Sequence, residues 1–245
     1  MLTLIRQEMY KQIHGKFYIG WSITMLVISL IGGYLMSLTK HVPDKPLEVY
    51  SMGIALMIFA MIAFASTIIT GDFANNTVKY LFARQFSRLS IFMSKIVVML
   101  IMFIYLNVVN FVVTYISKLI FLSDSAIKFK PIINSMFGNM WFLLLLIPMV
   151  ILVSNIAKNN GVAIAFGIVF YFAASIIGSY LTYLIDKVEI IKWNPLNFLS
   201  TNEQFADHSV STITHLSLTQ MEIGTVVYAL IFTAIAYTIY NHRNV

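Results

Sequence analysis

Six apolar runs of membrane length alternate with polar stretches along this chain of 245 residues. They fall at about 19–38, 51–71, 96–117, 137–157, 161–184 and 223–241. A helix needs about 20 apolar residues to cross the hydrocarbon of a bilayer, and each run is close to that length or longer. Open strands cannot satisfy their backbone groups in lipid, so the runs predict helices. The expected fold is all-α: a polytopic membrane protein with six transmembrane helices in one domain, 1–245. The first run ends Tyr34-Leu35-Met36-Ser37-Leu38, a poor match to a signal-peptide cleavage site, so it reads as a retained span.

Residues 1–18 carry a second pattern. Leu2, Ile5, Met9 and Ile13 recur at helical spacing, with Arg6, Lys11 and Lys16 largely off that stripe. An interfacial helix on membrane lipids fits this arrangement, and a basic tail is the plainer alternative. Lys158-Asn159-Asn160 leaves room only for a tight hairpin between runs four and five, with Gly161 easing the turn. The stretch 185–222 carries Asp186, Glu189, Glu203, Asp207 and Glu222. Within it Val188–Trp193 is too short to span, and reads as half of a hairpin dipping into the outer leaflet and ended by Pro195.

Composition narrows the class. The chain is 59% hydrophobic and 11% charged, with mean hydropathy +0.84, whereas soluble domains carry about 25% charged residues. The formal charge of +6 reflects topology and anionic lipid rather than nucleic acid. With no cysteine, disulfides, thiolate chemistry and cysteine-based zinc sites are excluded. If the N-terminus is cytoplasmic, Arg6, Lys11, Lys16, Lys79, Arg84, Arg88, Lys95, Lys158 and Arg243 lie inside, nine in all, against seven lysines outside. The inside connections are also the shorter ones. The expectation is a bacterial cell membrane protein with both termini cytoplasmic.

The segment 72–95, between runs two and three, holds most of the candidate chemistry. Placing Lys79, Arg84 and Arg88 at a bilayer centre costs roughly 2.5–3.5 kcal/mol each, so the segment belongs at the cytoplasmic surface. Read as a helix over 74–92, it gathers Val78, Leu81, Phe82, Gln85, Phe86, Leu89 and Phe92 on one face. Asp72 is expected at its start, where a carboxylate complements the helix dipole, with Asn75 and Thr77 as further caps. A basic loop that merely fixes topology explains the charges, but it requires neither the aromatic stripe nor the acidic start.

This segment resembles the cytoplasmic loop of ABC-2 type permeases, the membrane subunits of one class of ATP-driven transporters. The resemblance rests on Asp72, Asn76-Thr77, Tyr80-Leu81, Ser87-Arg88 and Lys95, and on the length and six-span plan. The chain departs from the family pattern at Asp72, where Glu is commoner, at Asn76, where Gly is usual, and at Gln85-Phe86, where Pro is frequent. The resemblance implies an ABC-2 (type V exporter-like) permease fold and a coupling loop that docks on a separate ABC ATPase subunit. Asp72, Thr77, Val78, Lys79, Leu81, Phe82, Arg84, Phe86 and Arg88 would make that contact. It implies a second permease subunit, identical or related, with ATP and Mg carried by the ATPase and no cofactor in this chain. The only Gly-Lys is Gly15-Lys16, followed by Phe17 and without the upstream glycine of a phosphate-binding loop. Within the family the chain is most similar to exporters of amphipathic or antimicrobial peptides, such as bacitracin and lantibiotic self-protection permeases and the phenol-soluble modulin exporter. Permeases for lipids, glycan precursors or ion-linked export remain an alternative, as does an ATPase-independent channel or scaffold.

Other polar positions carry two readings each. Asn107, Asn110 and Thr114 share one face of the third run and read as a substrate path or as interhelical hydrogen bonds. Thr67 and Thr70 read the same way. Pro148 predicts a kink in run four. Ala174-x-x-x-Gly178 and Ser175-x-x-x-Ser179 suit close helix packing, including a dimer seam. Glu203, Asp207, His208 and His215 match no metal-ligand spacing, and no nucleophile–base pair stands out, so no metal or catalytic residues are expected. No carboxylate falls deep within a run, which favours an external energy source over ion-driven transport.

Overall fold

The computed structural model describes residues 1–40, 42–74, 86–157 and 159–242. Those residues are helical with no strand. A short α1, Leu2–His14, precedes α2, Phe17–Leu38. Then come α3, Lys45–Ala74, and α4, Arg88–Phe121. After them lie α5, Phe129–Ser154, and α6, Asn160–Leu184. A string of short turns follows: 3-10 turns at Glu189–Trp193 and Asn197–Ser200, α7 at Thr201–Ala206, a 3-10 turn at His208–Val210 and α8 at Ser211–Thr214. The last helix is α9, Leu218–His242. The six long helices are each long and apolar enough to cross a membrane. Large apolar side chains stand exposed along them, such as Phe166, Val169, Phe172, Ile176, Tyr180 and Tyr183 on α6, where the buried residues are the small Ala163, Gly167 and Ala174. Water would not tolerate such a surface and lipid does. The chain is a multi-pass membrane protein.

Local chemistry sets the helix starts beyond the apolar runs. Asp44 Oδ1 accepts the Leu47 N–H at 3.3 Å, so α3 begins six residues before its run. Ser87 Oγ accepts the Ser90 N–H at 3.1 Å and opens α4 at Arg88. The helix expected over 74–92 is therefore not continuous: Phe86 and Ser87 are non-helical, and 88–92 is the first turn of a 34-residue helix. Asn159 Oδ1 caps α6 through the Val162 N–H at 2.9 Å. Gly161 sits inside that helix with ordinary φ and does not make the turn. α5 runs on through Pro148.

The residues form two compact units, Met1–Met61 with Met93–Ile133, and Ile62–Phe92 with Asn134–Val245. In the first, α2 and α4 run parallel. Ser22 Oγ meets Tyr105 Oη at 2.8 Å, Ser117 Oγ donates to the Ser29 carbonyl at 2.6 Å, and the rings of Tyr34 and Phe121 meet edge to face. The first part of α3 returns between them in sequence, with Met25, Tyr50, Met57 and Leu106 fully buried. The charged pairs of this unit lie at opposite ends: Glu8 with Lys95, and Asp44 with Lys128. In the second unit α5 and α6 form an antiparallel hairpin, with Ser154 opposite Ala163 and Phe142 opposite Tyr171. The half-hairpin expected at 188–193 is one 3-10 turn, and no helix between it and α9 exceeds six residues. Those turns are knitted by buried polar side chains. Asn197 Nδ2 donates to the Lys192 and Thr214 carbonyls at 2.8 and 3.1 Å. Gln204 takes the Thr214 hydroxyl at 2.8 Å, and Thr201 meets Thr225 of α9 at 2.9 Å.

Candidate functional site

Within the second unit, the helix ends that flank the charged segment are tied down. α3 continues through Gly71 and Asp72 to Ala74. The buried Asp72 carboxylate thus stands in the last turn of a helix rather than at the start of one, the end that the helix dipole disfavours for an anion. Next to it Phe73 packs edge to face on Tyr240, at 5.8 Å between ring centroids. The head of α4 meets the same end of α9. Arg88 Nη1 donates to the Asn241 carbonyl, and Phe92 packs against both Tyr237 and Tyr240 at 5.5 Å. Tyr240 and Phe92 are fully buried. The foot of α5 joins in: Asn155 Nδ2 donates to the Ala236 carbonyl at 3.1 Å, and Thr70 Oγ1 donates to the Ser154 carbonyl at 3.2 Å. Of the expected contact residues, Asp72, Phe86 and Arg88 are described, with Phe86 and Arg88 half-buried. Thr77, Val78, Lys79, Leu81, Phe82 and Arg84 lie outside the described residues.

The first unit holds an ionic centre that the sequence pattern did not single out. Glu8 of α1 and Lys95 of α4 are buried, at 2% and 0% relative exposure, with Glu8 Oε1 3.2 Å from Lys95 Nζ. Lys11 Nζ reaches the same oxygen at 3.0 Å. Leu4 and Glu8 are the buried residues of α1. Leu2 and Ile13 are exposed, and Ile5 and Met9 are half-covered. At 3.6 residues per turn the face carrying Leu4 and Glu8 lies about 120° from the Leu2–Ile13 stripe. The helix therefore packs on the protein through one side and leaves its apolar stripe open, with Arg6 exposed. A signal was present: Glu8 is the sole carboxylate before Asp44, set among Arg6, Lys11 and Lys16.

The polar face of α4 is brought together in the same unit. Asn107, Asn110, Thr114 and Ser117 are all buried. Asn107 Oδ1 accepts from the Tyr50 hydroxyl at 3.4 Å, and Asn107 Nδ2 donates to the Phe103 carbonyl of its own helix at 2.9 Å. Asn110 Nδ2 donates to the Tyr50 carbonyl at 3.0 Å. A side chain at Gly33 would strike Ser117, and one at Gly53 would strike Asn110. Apart from the Asn107–Phe103 bond these are interhelical, and glycines let the backbones approach closely enough to make them.

Outside the long helices, Asp207 and His215 do not share a centre. Asp207 Oδ1 accepts the Ser209 N–H at 2.9 Å, which holds its carboxyl below the usual range. His215 Nε2 pairs with Asp186 Oδ1 at 3.0 Å.

A family model described as "Protein of unknown function (DUF2705)" matches residues 38–245. The match takes in α3 to α9 and the charged segment, and reaches α2 only at Leu38. No curated protein matches the chain.

Proposed function

This chain belongs to the DUF2705 family, and for it we propose a transport role: the membrane subunit of an ATP-binding-cassette exporter in a bacterial cell membrane. In this reading both termini are cytoplasmic. The segment around Thr77–Arg88 meets a separate ATPase, which carries ATP and Mg. A second permease subunit completes the pathway, and the cargo is an amphipathic peptide entering from the membrane.

One observation carries the reading. The charged, aromatic segment joins two helices of 30 and 34 residues, and their adjoining ends are held by contacts to α9. Phe73 and Phe92 both rest on Tyr240, and Arg88 is tied to Asn241. Force applied to such a segment enters membrane-length helices directly. The interhelical bonding of Asn107 and Asn110 makes that part of α4 a packing seam, so the cargo path is sought elsewhere. Exposed apolar faces such as that of α6 suit contact with lipid, an amphipathic cargo or a second subunit.

The test is affinity purification of the full chain from its native membrane. Recovery of a stoichiometric ATPase is expected, lost in Leu81→Asp/Phe82→Asp while insertion into the membrane is retained. A chain that purifies alone and is active alone would leave an ATPase-independent channel or scaffold as the function. Stimulation of the complex's ATP hydrolysis by amphipathic peptides, and not by lipids, is the expected mark of the cargo class.

A further inference from the structure

We propose that α1 is a hinged strap latched to the head of α4 by Glu8, and that Glu8 is a positioning residue through which movement of α4 reaches the membrane surface. The geometry stands by itself; its consequence for transport rests on the permease reading.

The latch is ionic and almost dry. Glu8 Oε1 lies 3.2 Å from Lys95 Nζ, and both residues are buried. Ions withdrawn from water need good partners, and removing one member leaves the other uncompensated. The pair therefore favours two arrangements, closed with charges matched or open with both hydrated, and disfavours those between. Ile5 and Met9 of α1 are half-covered. Leu4 is its one other buried residue, while the stripe of Leu2 and Ile13 is exposed.

The hinge is equally local. α1 ends at His14, Gly15 keeps φ near −70°, and Lys16 turns left-handed at φ 54° before α2 starts at Phe17. Two residues separate the helices, and a left-handed lysine is an uncommon conformation that a small rearrangement relieves. At the other end of the strap, Lys95 lies two helical turns beyond Arg88, where the charged segment enters α4. Displacement of that helix head moves the ammonium to which Glu8 is bound. α1 follows while the pair holds and swings free when it breaks.

The test uses the full-length chain with Glu8→Gln, which keeps the shape and removes the charge, and the charge-swapped Glu8→Lys/Lys95→Glu, which puts an ion pair back in the same place. Trypsin cleavage after Arg6 and Lys11 reads the strap in the purified chain, with cleavage after the exposed Lys187 as the control in the same digest. Transport of a labelled amphipathic peptide against ATP hydrolysis reads coupling in the complex. The single variant is expected to speed α1 cleavage at least fivefold. It should cut transport at least tenfold while hydrolysis stays within twofold, and the double variant should restore both. Simple misfolding would raise cleavage at Lys187 as well and would lower hydrolysis together with transport, which would overturn the proposal. Unchanged α1 cleavage in Glu8→Gln would also overturn it. Faster α1 cleavage with no ATPase recovered from the wild-type membrane would uphold the strap and overturn the permease reading.

Discussion

Asn110 Oδ1 occupies the place that a Cβ of residue 53 would take, while the Asn110 amide nitrogen donates to the Tyr50 carbonyl at 3.0 Å. The oxygen has no N–H or O–H donor and faces the bare Cα of Gly53, a weak donor at most. The contact between α3 and α4 is therefore as close as a glycine permits. Gly53→Ala should destabilise the protein by about 1–3 kcal/mol, the usual cost of forcing extra volume into a packed interior. In an Asn110→Ala background the same change should cost less than half as much, because the obstruction is gone. Denaturant unfolding of the four detergent-solubilised proteins measures the cycle. Equal costs in both backgrounds would mean that the two residues do not touch.

The start of α4 yields a second expectation. Ser87 accepts the Ser90 N–H through its hydroxyl, and the Ser87 carbonyl takes the Ile91 N–H at 3.1 Å. Ser87→Ala should cost about 1 kcal/mol, the ordinary worth of an N-cap. The loss should be local, raising amide exchange at Ser90 about fivefold and leaving the middle of α4 unchanged. Hydrogen exchange resolved by residue decides it, and no change at Ser90 would remove the cap.

A third concerns pH at the turn Glu189–Trp193. The hydrogen bond from Lys192, and then its charge, hold the Glu189 carboxyl below its ordinary value of 4.5. A depressed carboxylate contributes stability that is present above the unfolded-state value and is lost as pH falls through the lower folded-state one. The contribution is therefore fully present near neutrality, and its pH dependence is confined to acid below about pH 4.5. Glu189 is open to solvent, so added salt should shrink the shift. Lys192→Ala should move the Glu189 titration upward, as followed by carbon NMR of the labelled carboxyl. An unmoved titration would mean that the pair does not persist in solution.

Much of this fold was legible in the sequence, because the apolar runs report their own burial in lipid. The fifth run, about 161–184, and α6, Asn160–Leu184, agree to within one residue. Errors arise where helices outlast the membrane. Asp44 and Ser87 begin α3 and α4 well outside the apolar runs, and capping is a matter of one side chain rather than of periodicity. Asp72 shows the same limit: a carboxylate beside an apolar run marks a start only if the preceding helix has already stopped, and α3 continues to Ala74. The polar face at Asn107 and Asn110 followed from helical spacing, but its partners did not, since Tyr50 belongs to another helix. Glu8 lies off the apolar stripe, where a charge ordinarily faces water. Only the approach of Lys95, far along the chain, makes that side of α1 an interior one.

The length of α4 sets a scale for any motion here. Its 34 residues extend about 50 Å at 1.5 Å per residue, against a hydrocarbon slab of about 30 Å. A stiff rod that long, gripped part-way by a bilayer, behaves like an oar in its rowlock. Tilting it by about 10° sweeps one tip past the other by about 9 Å, more than the diameter of a water molecule several times over. A small tilt is thus felt at both membrane surfaces at once, with no residue in between changing its conformation.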